Sequence, residues 1–186
     1  MKKTILSAIT IALVITTAVS MQSCKKSDSP DVTQKTLYDT LGGTMMVNDP
    51  THVGIQIEAG RLAIRSVVDS AIFVIAADAN INIYFKVLLA EVTNGNTSGF
   101  MALSNNLTDF FCVATGAKNF TYGGKNMRDA HNPATNSRMN GKAANDDFDS
   151  FIADVVTAAK KNKVPDAIIT RLGAIINTLR TVVVQA

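Results

Sequence analysis

Apolar residues recur every three or four positions in four long stretches of the chain, which is the spacing that places them on one face of a helix. Each stretch is bounded by polar residues, glycine or proline of the kinds that begin or end helices. The predicted helices run from Glu58 to Ala77, from a cap at Asn96-Thr97-Ser98 to Ala114, from a cap at Asn145 to the turn before Asn162, and from Pro165 to Val183. No segment alternates apolar and polar residues over a useful length, so the pattern predicts an all-α domain.

Two further regions break the helical pattern. A short helix is predicted over residues 36–41 and stops at Gly42-Gly43, and residues 44–57 then form an irregular excursion containing Asn48-Asp49-Pro50. About 30 residues, rich in glycine, separate the second long helix from the third. A gap of that length inside a compact domain is usually functional, and it contains His131.

The N-terminus has the pattern of an export signal. Met1-Lys2-Lys3 precedes an apolar run from Thr4 to Val19, which is short and hydroxyl-rich for a membrane span. Cleavage could follow the small residues near Ser20, but Ser23-Cys24 before a polar run favours a lipoprotein junction. We therefore predict a signal peptide over 1–23, lipidation of Cys24, a linker over 25–35 and a domain over 36–186. The domain is expected to be exported and membrane-anchored, facing the periplasm or the cell exterior.

Composition narrows the function. The chain has 186 residues, 47% hydrophobic, which is enough for one domain with a substantial core. The formal charge of +3 includes Lys2 and Lys3, so the processed chain is close to neutral and nucleic-acid binding has little support. After lipidation of Cys24, Cys112 is the remaining thiol and no disulfide framework is available; it is expected to be a small buried hydrophobe.

The candidate chemistry lies at His131. A neutral imidazole is a strong ligand for haem iron, and one such ligand leaves the opposite axial position open. A porphyrin also needs a flat apolar slot, for which Phe85, Phe110 and Phe111 are suitable. A lone histidine can equally be a surface or hydrogen-bonded residue without metal, and spacing alone does not decide between these readings. The acidic run at 146–149 is explained by the dipole of the helix that starts there.

Ordered motifs along the chain resemble the truncated haemoglobins, most closely their first group. The resemblance covers residue 36 to the C-terminus, and its most specific part is the Met127–His131 block that follows Tyr122 and Gly124. The other matching segments are Leu37–Gly43, Val67–Asp69, Ala77-Asp78 with Tyr84-Phe85, Thr108–Phe111 and Asp147-Phe148.

This resemblance implies a two-over-two helical sandwich around haem b, with His131 as the proximal iron ligand. By position, Phe85 matches the phenylalanine that packs on the porphyrin face. Tyr122 and Met127 match residues at the haem edge and on the proximal side. Residues of the distal helix that face the haem correspond to Leu103, Leu107 and Phe110.

The chain departs from the family pattern on the distal side. A tyrosine and a glutamine that bind iron-bound oxygen in many first-group members correspond to Ile72 and Leu107, and a cation that often pairs with a propionate corresponds to Asn106. Tyr84, Asn105 and Asn106 are other possible donors. An insertion follows Gly43 and contains His52, which is either a distal substitute or, as we favour, a solvent-exposed residue.

Three functions follow from the resemblance. The first is reversible binding of oxygen, nitric oxide or carbon monoxide at iron held by His131. The second is enzymatic oxidation of nitric oxide to nitrate, which the missing distal donors disfavour and which would need an electron donor. The third is a haem-free globin-fold interaction module. The physiological gas and the oligomeric state stay open.

Overall fold

Helices make up most of residues 35–186, the part of the chain that the computed structural model describes. The predicted signal peptide, Cys24 and nearly all of the predicted linker lie outside these residues. The helices are α1 Leu37–Thr40, α2 Ala59–Ala77, α3 Lys86–Thr93, α4 Ser98–Ala114, α5 Met127–Ala130, α6 Asn145–Lys161, α7 Asp166–Asn177 and α8 Arg180–Val183. A 3₁₀ helix, Asn82–Phe85, precedes α3, and two short strands, β1 Met46–Asn48 and β2 Gln56–Glu58, precede α2.

Helix α2 is the central element of the core. Its inward stripe of Ile64, Val68, Ile72 and Ile75 is buried, and the helix packs against both α4 and α6. Helix α7 packs in turn against α6. The apolar stripes predicted from the spacing thus meet in one core, and the all-α prediction is confirmed.

Helix α1 closes the end of the core at which α2 begins. Thr36 accepts a hydrogen bond from the Asp39 backbone, and the Asp39 carboxylate accepts one from the Thr36 N–H, which together form a capping box. Tyr38 is buried against Gly60 of α2, where a Cβ would overlap the tyrosine ring. The predicted short helix is confirmed.

The predicted irregular excursion over 44–57 is instead an antiparallel β-hairpin. Val47 pairs with Ile57, and these two side chains point inward while Met46 and Asn48 point outward. Three-residue strands are too short for their alternation to be recognised in the sequence, and the pairs that define them are eight to twelve residues apart.

Two other features differ from the prediction. Helix α3 was not expected, because it has eight residues and no side-chain cap hydrogen bond. The fourth long helix is interrupted, since α7 ends at Asn177 and α8 begins at Arg180.

The predicted cap Asn145 is instead the first residue of α6, and Ala144 precedes it. The Asp147 carboxylate accepts the Ala144 N–H at 2.7 Å.

Cys112 is fully buried on α4, as predicted, and burial raises the pKa of its thiol to about 11.

Among residues 35–186, no single helix is both long and apolar enough to cross a membrane. Only α2 taken together with residues 82–93 passes that test, and the two are bent by 107° relative to each other.

Asp154 of α6 generates a stability prediction. Its side chain is buried, and Oδ2 has no hydrogen-bond partner among the described residues. Burial, with Asp78 nearby, raises the pKa of Asp154. A raised folded-state pKa means that the ionised carboxylate destabilises the fold above that pKa, and that the penalty disappears as the pH falls through it.

Asp154→Asn is therefore expected to stabilise the protein at pH 7, by about 1 kcal/mol, because it removes a buried charge without a partner. The advantage should shrink as the pH falls into the acid range, where Asp154 of the wild type becomes protonated. Urea unfolding of both proteins at several pH values measures this. A variant less stable than the wild type at pH 7 would contradict the prediction.

Candidate functional site

A cavity of about 800 Å³ lies between the C-terminal half of α2, the 3₁₀ helix, α3, α4, α6 and the segment around His131. Its size is that of a pocket for a cofactor or similar organic ligand. Most of the lining side chains are apolar, and Leu103, Leu107 and Phe110 of α4 are only half-buried because they face this space. The cavity is thus a built feature of the fold with an apolar wall.

All eight residues that the sequence singled out for a cofactor line this one cavity. They come from four separate parts of the chain and meet only in the folded protein: Ile72, Phe85, Leu103, Leu107, Phe110, Tyr122, Met127 and His131. Their contact with a cofactor stays a prediction.

His131 follows the single-turn helix α5, which Asn126 begins by accepting the Asp129 N–H at 2.9 Å. The imidazole Nδ1 lies 2.8 Å from the Met127 carbonyl. Because a carbonyl only accepts, Nδ1 carries the proton and the lone pair is on Nε2. No described residue hydrogen-bonds to Nε2. The hydrogen bond from Nδ1 to the Met127 carbonyl orients the ring in the way that metal-binding histidines are usually oriented.

The charge state of His131 also suits a ligand. Burial lowers the pKa of the imidazole below its usual value, and the hydrogen bond to Met127 opposes that shift only in part. The ring is therefore neutral at pH 7, which is the form that binds a metal.

The wall formed by α2 and α4 is apolar. Ile72 and Leu107 contribute no hydrogen-bond donor, and the Phe110 ring packs edge-on against Tyr122 with centroids 5.4 Å apart. A second cavity of about 50 Å³, also apolar, shares Ile72 and Leu107 with the first. Small apolar molecules therefore have space beyond the main cavity on this side.

The other proposed donors are not aimed at this wall. Asn105 is exposed and does not line the cavity, whereas Asn106 lies at its rim and is also exposed. The Tyr84 hydroxyl donates to Asp147 at 2.7 Å. His52 is exposed on the hairpin, outside the cavity lining, with Nδ1 3.2 Å from Asp49, so the structure favours the exposed reading of this histidine.

The segment after His131 supplies rim residues that sequence reasoning missed. Arg138 forms a bidentate ion pair with Glu91 of α3, with nitrogen–oxygen distances of 2.8 and 2.5 Å. A Cβ on Gly99, at the start of α4, would overlap both partners. The Lys125 amine donates to the Thr135 carbonyl at 3.1 Å. Lys125 and Arg138 thus line the cavity, and the Arg138–Glu91 contact is one that only the tertiary fold creates.

The acidic residues near the start of α6 have structural partners. Asp147 accepts from Ala144 and Tyr84, and Asp149 pairs with Arg180 at 2.5 Å. Within residues 35–186 no three His, Cys, Asp or Glu side chains are grouped as a metal site would require. His131 is the only histidine that lines the cavity.

Comparison with solved structures relates the fold to one class of protein. Three crystal structures of variants of truncated haemoglobin from Tetrahymena pyriformis, all in the Fe(III) form, match with a TM-score of 0.58. The match has 22% sequence identity and covers 82% of this chain and the whole of theirs. No protein-family model and no curated protein sequence matches the chain. The chain therefore has the truncated-globin fold.

The Tyr84–Asp147 hydrogen bond joins the 3₁₀ helix to the start of α6 and so closes one side of the cavity. Tyr84→Phe is expected to lower the free energy of unfolding by about 1–2 kcal/mol, because the bond has a charged acceptor. The same bond raises the pKa of Tyr84 to about 12. Urea unfolding measures the change.

Tyr122→Phe is the matched control, since the Tyr122 hydroxyl donates to the neutral Lys125 carbonyl at 2.6 Å. We expect a smaller loss for this variant, about 0.5–1 kcal/mol. Equal losses in the two variants would show that the Tyr84–Asp147 bond has no special role.

Proposed function

We propose that this protein is a haem protein that reversibly binds a diatomic gas at iron ligated by His131. The observation that carries the proposal is a single neutral imidazole, oriented through Nδ1, at an apolar cavity of about 800 Å³ in a truncated-globin fold. The haem-free interaction module is less well supported, because a fold kept only for its outer surface has no need of a large cavity next to a histidine.

The residues around the cavity suit the two sides of a porphyrin. The macrocycle is flat and apolar, as are the walls that include Phe85 and Phe110. Its two propionates are anionic, and Lys125 and Arg138 are the cations in the lining. Arg138 is already paired with Glu91, whereas Lys125 donates to the Thr135 carbonyl and has no ion pair among the described residues. Lys125 is therefore the cation left for a propionate, since Asn106 stands where the family often has one.

Haem iron supplies coordination of the gas, and the protein determines what surrounds that gas. Nε2 of His131 would hold the iron, and His131 is the only histidine that lines the cavity. Ile72 and Leu107 would surround the bound gas with hydrocarbon. Because neither residue donates a hydrogen bond, we expect the site to hold carbon monoxide or nitric oxide better, relative to oxygen, than a site with polar donors does.

We also propose that the domain is exported and held at a membrane through lipid on Cys24. The support is the signal-like sequence of residues 1–23 and the polar segment that follows. An electron donor that keeps the iron reduced would be a further partner.

Added haemin tests whether His131 is the iron ligand. Purified wild-type protein mixed with haemin is expected to give a Soret band, and His131→Ala is expected to lose or strongly alter it because the only histidine at the cavity is removed. His52→Ala is the matched control and should give the spectrum of the wild type.

Added imidazole should restore the band in His131→Ala if the residue is the iron ligand, since the small base can enter the space that the side chain left. Far-UV circular dichroism checks that the variant folds. A wild type that does not bind haemin, or a His131→Ala spectrum identical to that of the wild type, would overturn the proposal.

Substitution of Leu107 tests whether the apolar wall faces the bound gas. Leu107→Gln introduces a donor toward the bound gas and is expected to slow oxygen dissociation by about tenfold to a hundredfold, since a hydrogen bond to a charged acceptor contributes about 1.5–3 kcal/mol. Stopped-flow exchange of oxygen for carbon monoxide measures the rate.

Leu107→Met is the matched control, because it keeps the volume without adding a donor. Carbon monoxide dissociation should change little in either variant, since bound carbon monoxide carries less negative charge than bound oxygen. Equal oxygen dissociation rates in the Gln and Met variants would show that residue 107 does not face the gas. Rapid conversion of nitric oxide to nitrate by the oxygenated wild type would favour the enzymatic function.

A further inference from the structure

We propose that the β1–β2 hairpin is a membrane-contact element that places its exposed apolar side chains in the interface of the lipid bilayer. The inference goes beyond haem binding and rests on the proposed lipid anchor at Cys24. Four observations support it: apolar residues are exposed on the hairpin, its one carboxylate is buried, hydrogen bonds and an ion pair attach it to the domain, and it lies at the end where the N-terminal segment joins, away from the cavity.

The hairpin presents apolar side chains that the fold does not cover. Val53 at the turn is fully exposed, at 103% of its reference area, and Ile55, Met45 and Met46 are 57, 62 and 51% exposed. Exposed apolar residues are ordinary when scattered, but here four lie within eleven residues, two in the turn and two at the start of β1, and such concentrations often mark contact with a partner. On the opposite, inward face, Ile57 is buried and Val47 is half-buried.

The one carboxylate of the hairpin is buried. Asp49 is the only Asp, Glu, Lys or Arg in residues 44–57, and it is buried. Its carboxylate accepts two hydrogen bonds from Arg65 of α2, at 3.0 and 2.7 Å, and others from the backbone and hydroxyl of Thr51. The tip also exposes the polar side chains of Thr51 and His52, but its one carboxylate is paired internally and can approach a lipid interface without the cost of desolvating an ion.

The attachment of the hairpin to the domain is rigid. The Asp49–Arg65 ion pair holds the turn against α2, and the Asp49 N–H donates to the Ile55 carbonyl at 2.8 Å. At the base, the Ala59 N–H donates to the Met45 carbonyl at 2.7 Å. A contact made by the tip would therefore orient the whole domain.

The position of the hairpin matches an N-terminal anchor. It joins the domain at the start of α2, next to α1, where Gly42 lies against Ala59. The described residues begin at Lys35, just before α1, so the segment that carries Cys24 joins the domain at this end. That segment can span at most about 40 Å, at about 3.6 Å per residue, so a lipid on Cys24 leaves the hairpin within reach of the bilayer.

The cavity lies at the other end of α2. The α2 residues that line it, Ile72, Phe73, Ile75 and Ala76, are all in the C-terminal half of this 19-residue helix, which is about 28 Å long. A domain that rests on its hairpin would thus hold the cavity away from the lipid. A bilayer is the occupant we propose because the predicted lipid on Cys24 would supply one, whereas nothing in the sequence predicts a second copy of the chain.

The experiment uses the full chain, which contains no tryptophan. Val53→Trp introduces one indole at the tip, and Val87→Trp introduces one on α3, where Val87 is 38% exposed beyond the far end of α2. Each protein, purified from membranes, is reconstituted into vesicles of phosphatidylethanolamine and phosphatidylglycerol. The same lipids, brominated at shallow acyl carbons, serve as quenchers.

For Val53→Trp we expect a blue-shifted emission and the loss of roughly half of the intensity in brominated lipid relative to unbrominated lipid, as for a side chain 5–10 Å deep. For Val87→Trp the ratio should be unity. An unquenched indole in Val53→Trp, in protein that floats with the vesicles, would overturn the inference. A blue shift in detergent that grows with protein concentration would overturn it in favour of a second copy.

Flotation separates this inference from the proposals on which it is built. If wild type floats with vesicles and Cys24→Ser does not, the anchor stands whatever the quenching shows. If neither floats, anchor and hairpin contact are both wrong. The Soret band of the same samples reports haem binding independently, and the ratio between brominated and unbrominated lipid cancels any quenching by haem.

Discussion

Burial of the apolar face of α2 is the interaction on which the rest of the structure depends. Ile64 and Val68 fill the core against α4 and α6, while Ile72, one turn further, belongs both to that core and to the cavity wall. The same helix begins beside the hairpin and holds it through Arg65. Because one rigid helix connects hairpin, core and cavity, their separation along its axis is a property of the fold.

The cavity combines an apolar interior with a polar rim, and this division has a physical basis. The charged and hydroxyl groups at the rim satisfy one another, as in the Glu91–Arg138 and Tyr84–Asp147 contacts, so they close the edges without leaving a buried charge unpaired. His131 is the exception, since its Nε2 has no hydrogen-bond partner among the described residues. This imidazole nitrogen, at a cavity with mostly apolar walls, is the feature on which the proposed haem site rests.

Much of this architecture could be predicted because helices are specified by neighbouring residues. The stripes that became α2, α4 and α6 are visible within each segment, as is the short helix that stops at Gly42-Gly43. The hairpin and α3 were missed for the opposite reason: three-residue strands and an uncapped eight-residue helix have weak local signals and depend on what they pack against. The rim pairs were missed because Arg138 and Glu91 are 47 residues apart.

The sequence by itself determined an all-α domain, its four long helical stripes and the histidine in its glycine-rich gap, because side-chain periodicity and ligand chemistry are local properties. Only the tertiary structure decided that eight separated residues share one cavity, that His131 is oriented by Met127, and that Asp49 is buried under an apolar hairpin. These are distances between parts of the chain far apart in sequence, and packing of the whole core sets them.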